Sequence, residues 1–489
     1  MKKNYDILHD LVQSLTKAEK RSISLNSQSE GKEKIYLKIF KCLEKQKEYN
    51  ELELLSFFSG TDKKNQLGFA KNYLQNLILK NLRIFHSDLK ANISCKNLII
   101  EAEIMYWKCQ FKLAEKLLIR AQKIAQKHQF FLLLEEISYW QNRIVNATSK
   151  LEQFNPKLIH QNSKENIDKY LNILAYKELS KEIQLLISKS ELVRDKNEEK
   201  IYENYLQHPL LIDISQAKSN EAIYTFYVIK SVLFRLLKKH QESKNYRIQL
   251  ITFLEQNPYI IEENPILLIT SIHNILMFSF VAQDEQLFNE YINKLKSYQF
   301  KMPREQANMF STLSLFELGN YIEHKNYDKA VDFYENQIKL DEYLLKLVDI
   351  ENEYLLHYNA SLAYFYKKDF KKALKALNFF INNSSKKLRV DIRASAFILN
   401  VIIHYELNNT DTLPYLIKST LSYLKTNKLY RNPDATFVNM FNTIPNENNH
   451  KAFQDFLIQK KKELIAAKTS SIIASDLSYI DWIDGKLKN

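Results

Sequence analysis

Glycine is almost missing from this chain, with five among 489 residues (Gly31, Gly60, Gly68, Gly319 and Gly485) beside eight prolines. Average usage is about 7% Gly and 5% Pro. Tight β-hairpins draw on Gly or Asn for their positive-φ positions, and parallel α/β units need Gly-rich crossings. A chain this poor in both turn residues is expected to be all-α. The same scarcity removes phosphate-cradling loops, since neither a GxxxxGK[ST] nor a GxGxxG pattern occurs, and HExxH is absent too. The one Ser-Gly step, "FFSG" at 57–60, has no nucleophile elbow around it.

Cysteine is scarce as well. Cys42, Cys95 and Cys109 stand far apart without a CxxC, so they read as free thiols of a reducing compartment. The longest apolar stretches, such as "FILNVII" at 397–403, fall far short of the ~20 residues of a membrane span. Asp6, His9 and Asp10 interrupt any secretory h-region behind the opening lysines. A soluble cytoplasmic chain without membrane insertion is the expectation. The eleven histidines are scattered singly, and His324 and His357 fit packed or solvated rings better than metal ligands. No metal, no cofactor and no enzymatic activity are expected.

What the chain does have is apolar and basic material. Hydrophobic residues make up 45%, enough for an extensive core, and the formal charge is +13. Residues 1–90 hold 17 Lys and Arg against 11 Asp and Glu, so the excess is somewhat front-loaded. Such a balance favours acidic surfaces in general, nucleic acid among them. Heavy use of Lys, Asn and Ile is the habit of an AT-rich, bacterial type of genome.

Residues 366–377, "YKKDFKKALKAL", show how the basic and apolar patterns combine. Leu355, Leu356, Ala360, Ala363 and Tyr364 recur with helical spacing before Asp369. Phe370, Ala373, Leu374, Leu377 and Phe380 do so after it. A connection as short as "KKD" forces the two helices antiparallel. Ala373 then sits where the helices approach closest, and the lysines form a solvated rim. Polar breaks of this kind fall near Gln110, Asn155, Asn197, His240, Asp284, Asn326, Asp369, Asn409 and Asn448, 39 to 45 residues apart. Two helices of about 18–20 residues with two turns fill such a unit.

Three hairpins carry a sharper pattern: Ala102 and Tyr106 with Phe111 and Ala114, Tyr321 with Tyr327 and Ala330, and Tyr364 with Phe370 and Ala373. These residues resemble the tetratricopeptide repeat, with a longer period and without its hallmark glycine. The resemblance implies a right-handed α-solenoid of stacked antiparallel hairpins with a period of about 43, spanning 92–489. It also implies a concave face for a protein or peptide partner. Carried over from that family, the ligand-facing positions are Lys96, Ile99, Glu103, Tyr106 and Trp107 in one repeat. In another they are Leu355, Tyr358, Leu362, Phe365 and Tyr366. Of these, Tyr106, Trp107, Tyr358, Phe365 and Tyr366 are the expected aromatic anchors. In the competing reading, the longer helices turn these same residues into the inter-repeat core.

Residues 1–91 lack the 43-residue rhythm. Thr16 and Glu19 form a capping-box pattern ahead of a helix, and the longest amphipathic stretch, 67–86, carries Lys71, Lys80 and Arg83. This module reads as a helical cap of the solenoid. Its weak likeness to a helix-turn-helix keeps a nucleic-acid contact through those three cations as the alternative. The leading expectation is therefore a non-enzymatic scaffold that binds a protein or peptide. The alternative is a nucleic-acid-associated regulatory factor with a basic N-terminal module.

Overall fold

The computed structural model describes residues 6–26, 34–149, 155–189, 196–383, 390–427, 429–430, 432–444, 450–466 and 479–488. Among the described residues the chain is all-helical and contains no strand. It divides into two compact units that differ from the expected split at 91. One unit holds 1–238 with 258–263, and the other holds 239–257 with 264–489.

The first unit opens with α1 (Ile7–Ser14), α2 (Lys17–Asn26), α3 (Ile35–Lys45), α4 (Glu51–Leu55) and α5 (Lys63–Phe85). The first two starts have a local cause. The Asp6 side chain accepts the His9 N–H at 3.0 Å. At α2 the capping box forms as its spacing predicts: Thr16 N–H donates to Glu19 at 2.6 Å and Glu19 N–H to Thr16 Oγ1 at 3.3 Å. Leu8, Val12, Ile39, Leu43, Leu74 and Ile78 close a cluster of their own. Then come α6 (Ala91–Trp107), α7 (Phe111–His128), α8 (Phe131–Thr148), α9 (Pro156–Lys189), α10 (Lys196–Leu206), α11 (Pro209–Ile212) and α12 (Asn220–Leu236). Helix α6 packs on both α7 and α8, and α9 packs on α8 and α12. Cys95, Ile99, Ala102, Ala114, Leu118 and Ala121 fill the α6–α7–α8 core.

The second unit begins with α13 (His240–Gln256). After α14 (Pro258–Glu263), which belongs to the first unit, it continues through α15 (Pro265–Val281), α16 (Glu285–Ser297), α17 (Pro303–Glu323) and α18 (Tyr327–Phe333). Next are α19 (Glu342–Leu347), α20 (Ile350–Tyr366), α21 (Phe370–Asn383), α22 (Val390–Glu406), α23 (Leu413–Thr426), α24 (Asn432–Met440), α25 (His450–Ala466) and α26 (Tyr479–Leu487). Most neighbours in sequence pack together, α19 packs on α17, and α15, α17 and α20 also contact in turn, α15 to α17 and α17 to α20. Ala330, Ala363 and Ala373 are fully buried where α18, α20 and α21 meet. Lys367, Lys368, Lys371, Lys372 and Lys375 are all exposed, as the hairpin reading requires. Seven prolines (156, 209, 258, 265, 303, 414 and 433) occupy the first or second position of a helix, where a missing N–H is least costly. Pro445 and Asn448 lie outside the described residues.

How this chain turns with so little glycine is visible at the helix ends. Cys109, Lys238, Gln283, Lys325, Lys368 and Asn408 all have φ between 54° and 62°, the left-handed region. The last five are separated by 45, 42, 43 and 40 residues. The next N–H then reaches back across the last turn: Asp284 to Ser279 O (2.9 Å), Asn326 to Tyr321 O (2.8 Å), Asp369 to Tyr364 O (2.9 Å) and Asn409 to His404 O (3.0 Å). This is the Schellman closure, which usually takes glycine. Left-handed backbone costs an L-residue roughly 1–2 kcal/mol, and glycine's extra freedom when unfolded offsets about half of that. Lys368→Gly is therefore expected to stabilise the protein by about 0.5–1 kcal/mol, read as a higher urea midpoint at unchanged slope. A fall in the midpoint would contradict the left-handed assignment.

Candidate functional site

Two of the expected anchors end α6. Tyr106 and Trp107 occupy its last turn, just before the left-handed Cys109. Helix α8 packs on α6 and brings Tyr139, Trp140 and Arg143, with Tyr139 and Arg143 one helical turn apart. The Arg143 guanidinium carbon lies 5.0 Å from the Tyr106 ring centre, 5.2 Å from Trp107, 5.7 Å from Tyr139 and 5.3 Å from Trp140. The rings hold one another as well: Tyr106 meets Trp107 edge-on at 5.3 Å and Trp140 at 5.5 Å, and Tyr139 meets Trp140 at 5.4 Å. Trp140 is buried, Tyr106 and Arg143 are half-buried, and Trp107 and Tyr139 are 63% and 53% exposed.

Arg143 donates to the Tyr139 hydroxyl at 2.9 Å. Hydrogen bonding to the Tyr106 and then the Tyr139 hydroxyl pushes its pKa further up, so the cation is permanent. Among the described residues no carboxylate contacts it. A guanidinium has five N–H donors, so one held among rings and bonded to tyrosine hydroxyls retains donors for a carboxylate or phosphate, and the rings restrict its rotamers beforehand. Ile104 and Ile100 continue the exposed apolar stripe one and two turns back from Trp107, and Leu132 lies two turns before Tyr139 on α8. The arrangement offers apolar walls around one fixed positive charge.

The other expected anchors lie elsewhere. Tyr358 and Phe365, on α20 in the second unit, are 1% and 5% exposed and belong to its core. They are not surface anchors, because α20 is packed against α17, α18 and α21 and has little free face. Tyr366 is half-buried and stacks on Tyr327 with ring centres 4.7 Å apart. Lys71 is engaged too: it pairs with Asp6, donates to the Tyr49 hydroxyl at 3.1 Å and lies over that ring. Burial alone would lower its pKa, but the hydrogen bonds to Asp6 and Tyr49 outweigh it and raise it. Lys80 and Arg83 are exposed on α5, as are Phe69 and Tyr73.

Sequence reading missed Tyr139, Trp140 and Arg143. The signal was present as an aromatic pair with an arginine one turn on, and two of the chain's three tryptophans fall in this cluster. His357 is packed, with its ring centre 4.0 Å from Phe379 and Nδ1 2.9 Å from the Tyr334 hydroxyl. His324 is exposed and pairs with Glu285 at 2.8 Å, which raises its pKa. Among the described residues no three His, Cys, Asp or Glu side chains stand close enough to hold a metal ion, and no helix is long and apolar enough to cross a membrane. No protein-family model matches this chain, and no curated protein does.

Proposed function

We propose that this protein is a non-enzymatic helical-repeat adaptor, built as a tetratricopeptide-like solenoid, that binds a protein or peptide partner through the α6–α8 face. The observation that carries the reading is Arg143, held over four rings beside exposed Trp107 and Tyr139 without a carboxylate of its own. The recurring left-handed turns and the α15–α17–α20 contacts support the solenoid part. The partner segment carries an Asp or Glu flanked by apolar side chains. The carboxylate takes the guanidinium fork and the apolar groups lie against the indole. The chain's positive charge speeds encounter with such a partner.

A second reading rests on α5. Its outward side carries Phe69, Tyr73, Lys80 and Arg83, rings for stacking and cations for phosphate. Affinity purification with wild-type and Trp107→Ala/Arg143→Ala baits, with and without nuclease, separates the two. A partner that survives nuclease and is lost with the double variant supports the adaptor. A partner lost on nuclease treatment, with binding that falls steeply as salt rises, supports the α5 reading.

A further inference from the structure

The second unit holds its last described helix the way a receptor holds a peptide. Helix α26 has nine residues and follows α25 after residues 467–478, which lie outside the described set. Tyr479, Trp482 and Ile483 point one way and are almost fully buried. The Tyr479 ring stacks on Phe437 with centres 4.0 Å apart, and its hydroxyl donates to Asp434 Oδ1 at 2.8 Å. Trp482 is walled by Tyr405, Phe437 and Phe441 at 5.9, 5.9 and 5.4 Å. Its indole N–H donates to one oxygen of Glu406 at 2.7 Å, and Lys486 donates to the other at 2.8 Å. Lys325 with Asp481 and Lys461 with Asp484 pair at the rim.

The floor under α26 therefore consists of two carboxylates, Asp434 fully buried and Glu406 nearly so, aimed at donors that α26 supplies. Such a floor selects its occupant by chemistry: two aromatic donors three residues apart, an aliphatic residue next, and a cation four residues after the indole. A nine-residue helix does not hold itself together in water, so α26 is ordered by the groove and not by its own propensity. Any segment with the same pattern makes the same contacts.

We propose that this groove is a docking site for an amphipathic helix of a partner protein with that aromatic–aromatic–cation pattern, and that α26 occupies it as an intramolecular competitor. The site is independent of the Arg143 face. Competition lowers the apparent affinity for the partner helix by the fraction of time the groove is open, so the resident helix sets the threshold for binding.

The test uses the full chain and a fluorescein-labelled peptide of residues 477–489, followed by anisotropy. Wild-type protein is expected to bind the peptide weakly. Tyr479→Ala/Trp482→Ala is expected to bind it at least tenfold tighter, and adding Glu406→Gln to that variant is expected to lose at least tenfold. A milder Trp482→Phe/Lys486→Ala variant removes donors while keeping bulk, and is read by the same assay if the alanine pair fails to fold. Equal peptide binding by wild type and by whichever variant keeps the wild-type helical spectrum overturns the proposal. So does peptide binding indifferent to Glu406→Gln. Light scattering showing that wild-type protein dimerises through exchanged α26 assigns the groove to a second copy and overturns it as well.

Discussion

Tyr358→Ala is expected to destabilise the second unit by about 3–5 kcal/mol, whereas Trp107→Ala changes stability by less than about 0.5 kcal/mol. Both aromatics occupy positions that the repeat resemblance makes ligand-facing, so the contrast tests where α20 points. Tyr358 is 1% exposed and packs on Phe380 at a ring distance of 5.6 Å, among Leu356, Leu362 and Leu399 of one cluster. Truncating it leaves a ring-sized cavity in a close-packed interior, and the cost combines lost transfer energy with lost contact. Trp107 has most of its surface in water already, so its removal costs little in folding and should appear in partner binding alone. Urea unfolding followed by circular dichroism measures both. A Tyr358→Ala midpoint within error of wild type would mean that α20 is not packed as described.

Acidification from pH 7 to pH 4 is expected to remove about 2–3 kcal/mol of stability through one histidine. Burial, with a smaller contribution from the charge of Lys339, holds His357 neutral and pulls its pKa down to about 4. The unfolded chain titrates near 6.5. Above that value neither state carries the proton. Between about 6.5 and 4 the unfolded state takes it up and the folded state does not, so stability falls as pH drops through this window and the loss is complete below about 4. The figure allows for partial exposure of the ring. His357→Gln should flatten this part of the pH profile while the carboxylate contributions, such as the lowered Glu19 and Glu335, remain in both proteins. Parallel urea titrations at pH 7.5, 5.5 and 4.5 give the difference. An identical acid slope in wild type and variant would remove His357 as its source.

Much of the fold was legible because helical periodicity is a local property. The near absence of glycine excluded strand turns, and the small residues at Ala330 and Ala373 marked where helices cross. The breaks at Gln110, Asp284, Asn326, Asp369 and Asn409 each follow a left-handed residue. Asn155 lies just before α9, whereas Asn197 falls inside α10 as its second residue. What no spacing rule gave was the identity of the left-handed residue, since Lys, Gln, Cys and Asn fill it here at a cost that packing of the flanking helices outweighs.

The candidate site was half legible. Tyr106 and Trp107 were placed from one helix, but their partners come from α8, more than thirty residues further on. Lys71 looked like a free cation until Asp6, sixty-five residues earlier, was found against it.

By itself the amino-acid sequence determined that the described residues are helical, where five of the turns between helices fall, and which residues are apolar enough to be hidden. Only the tertiary structure decided which apolar side of each helix is hidden. Periodicity fixes angles within a helix, and the neighbours packed against it fix which of those angles face solvent. That is why Trp107 stands in water and Tyr358 does not, and why Arg143 came to rest among four rings.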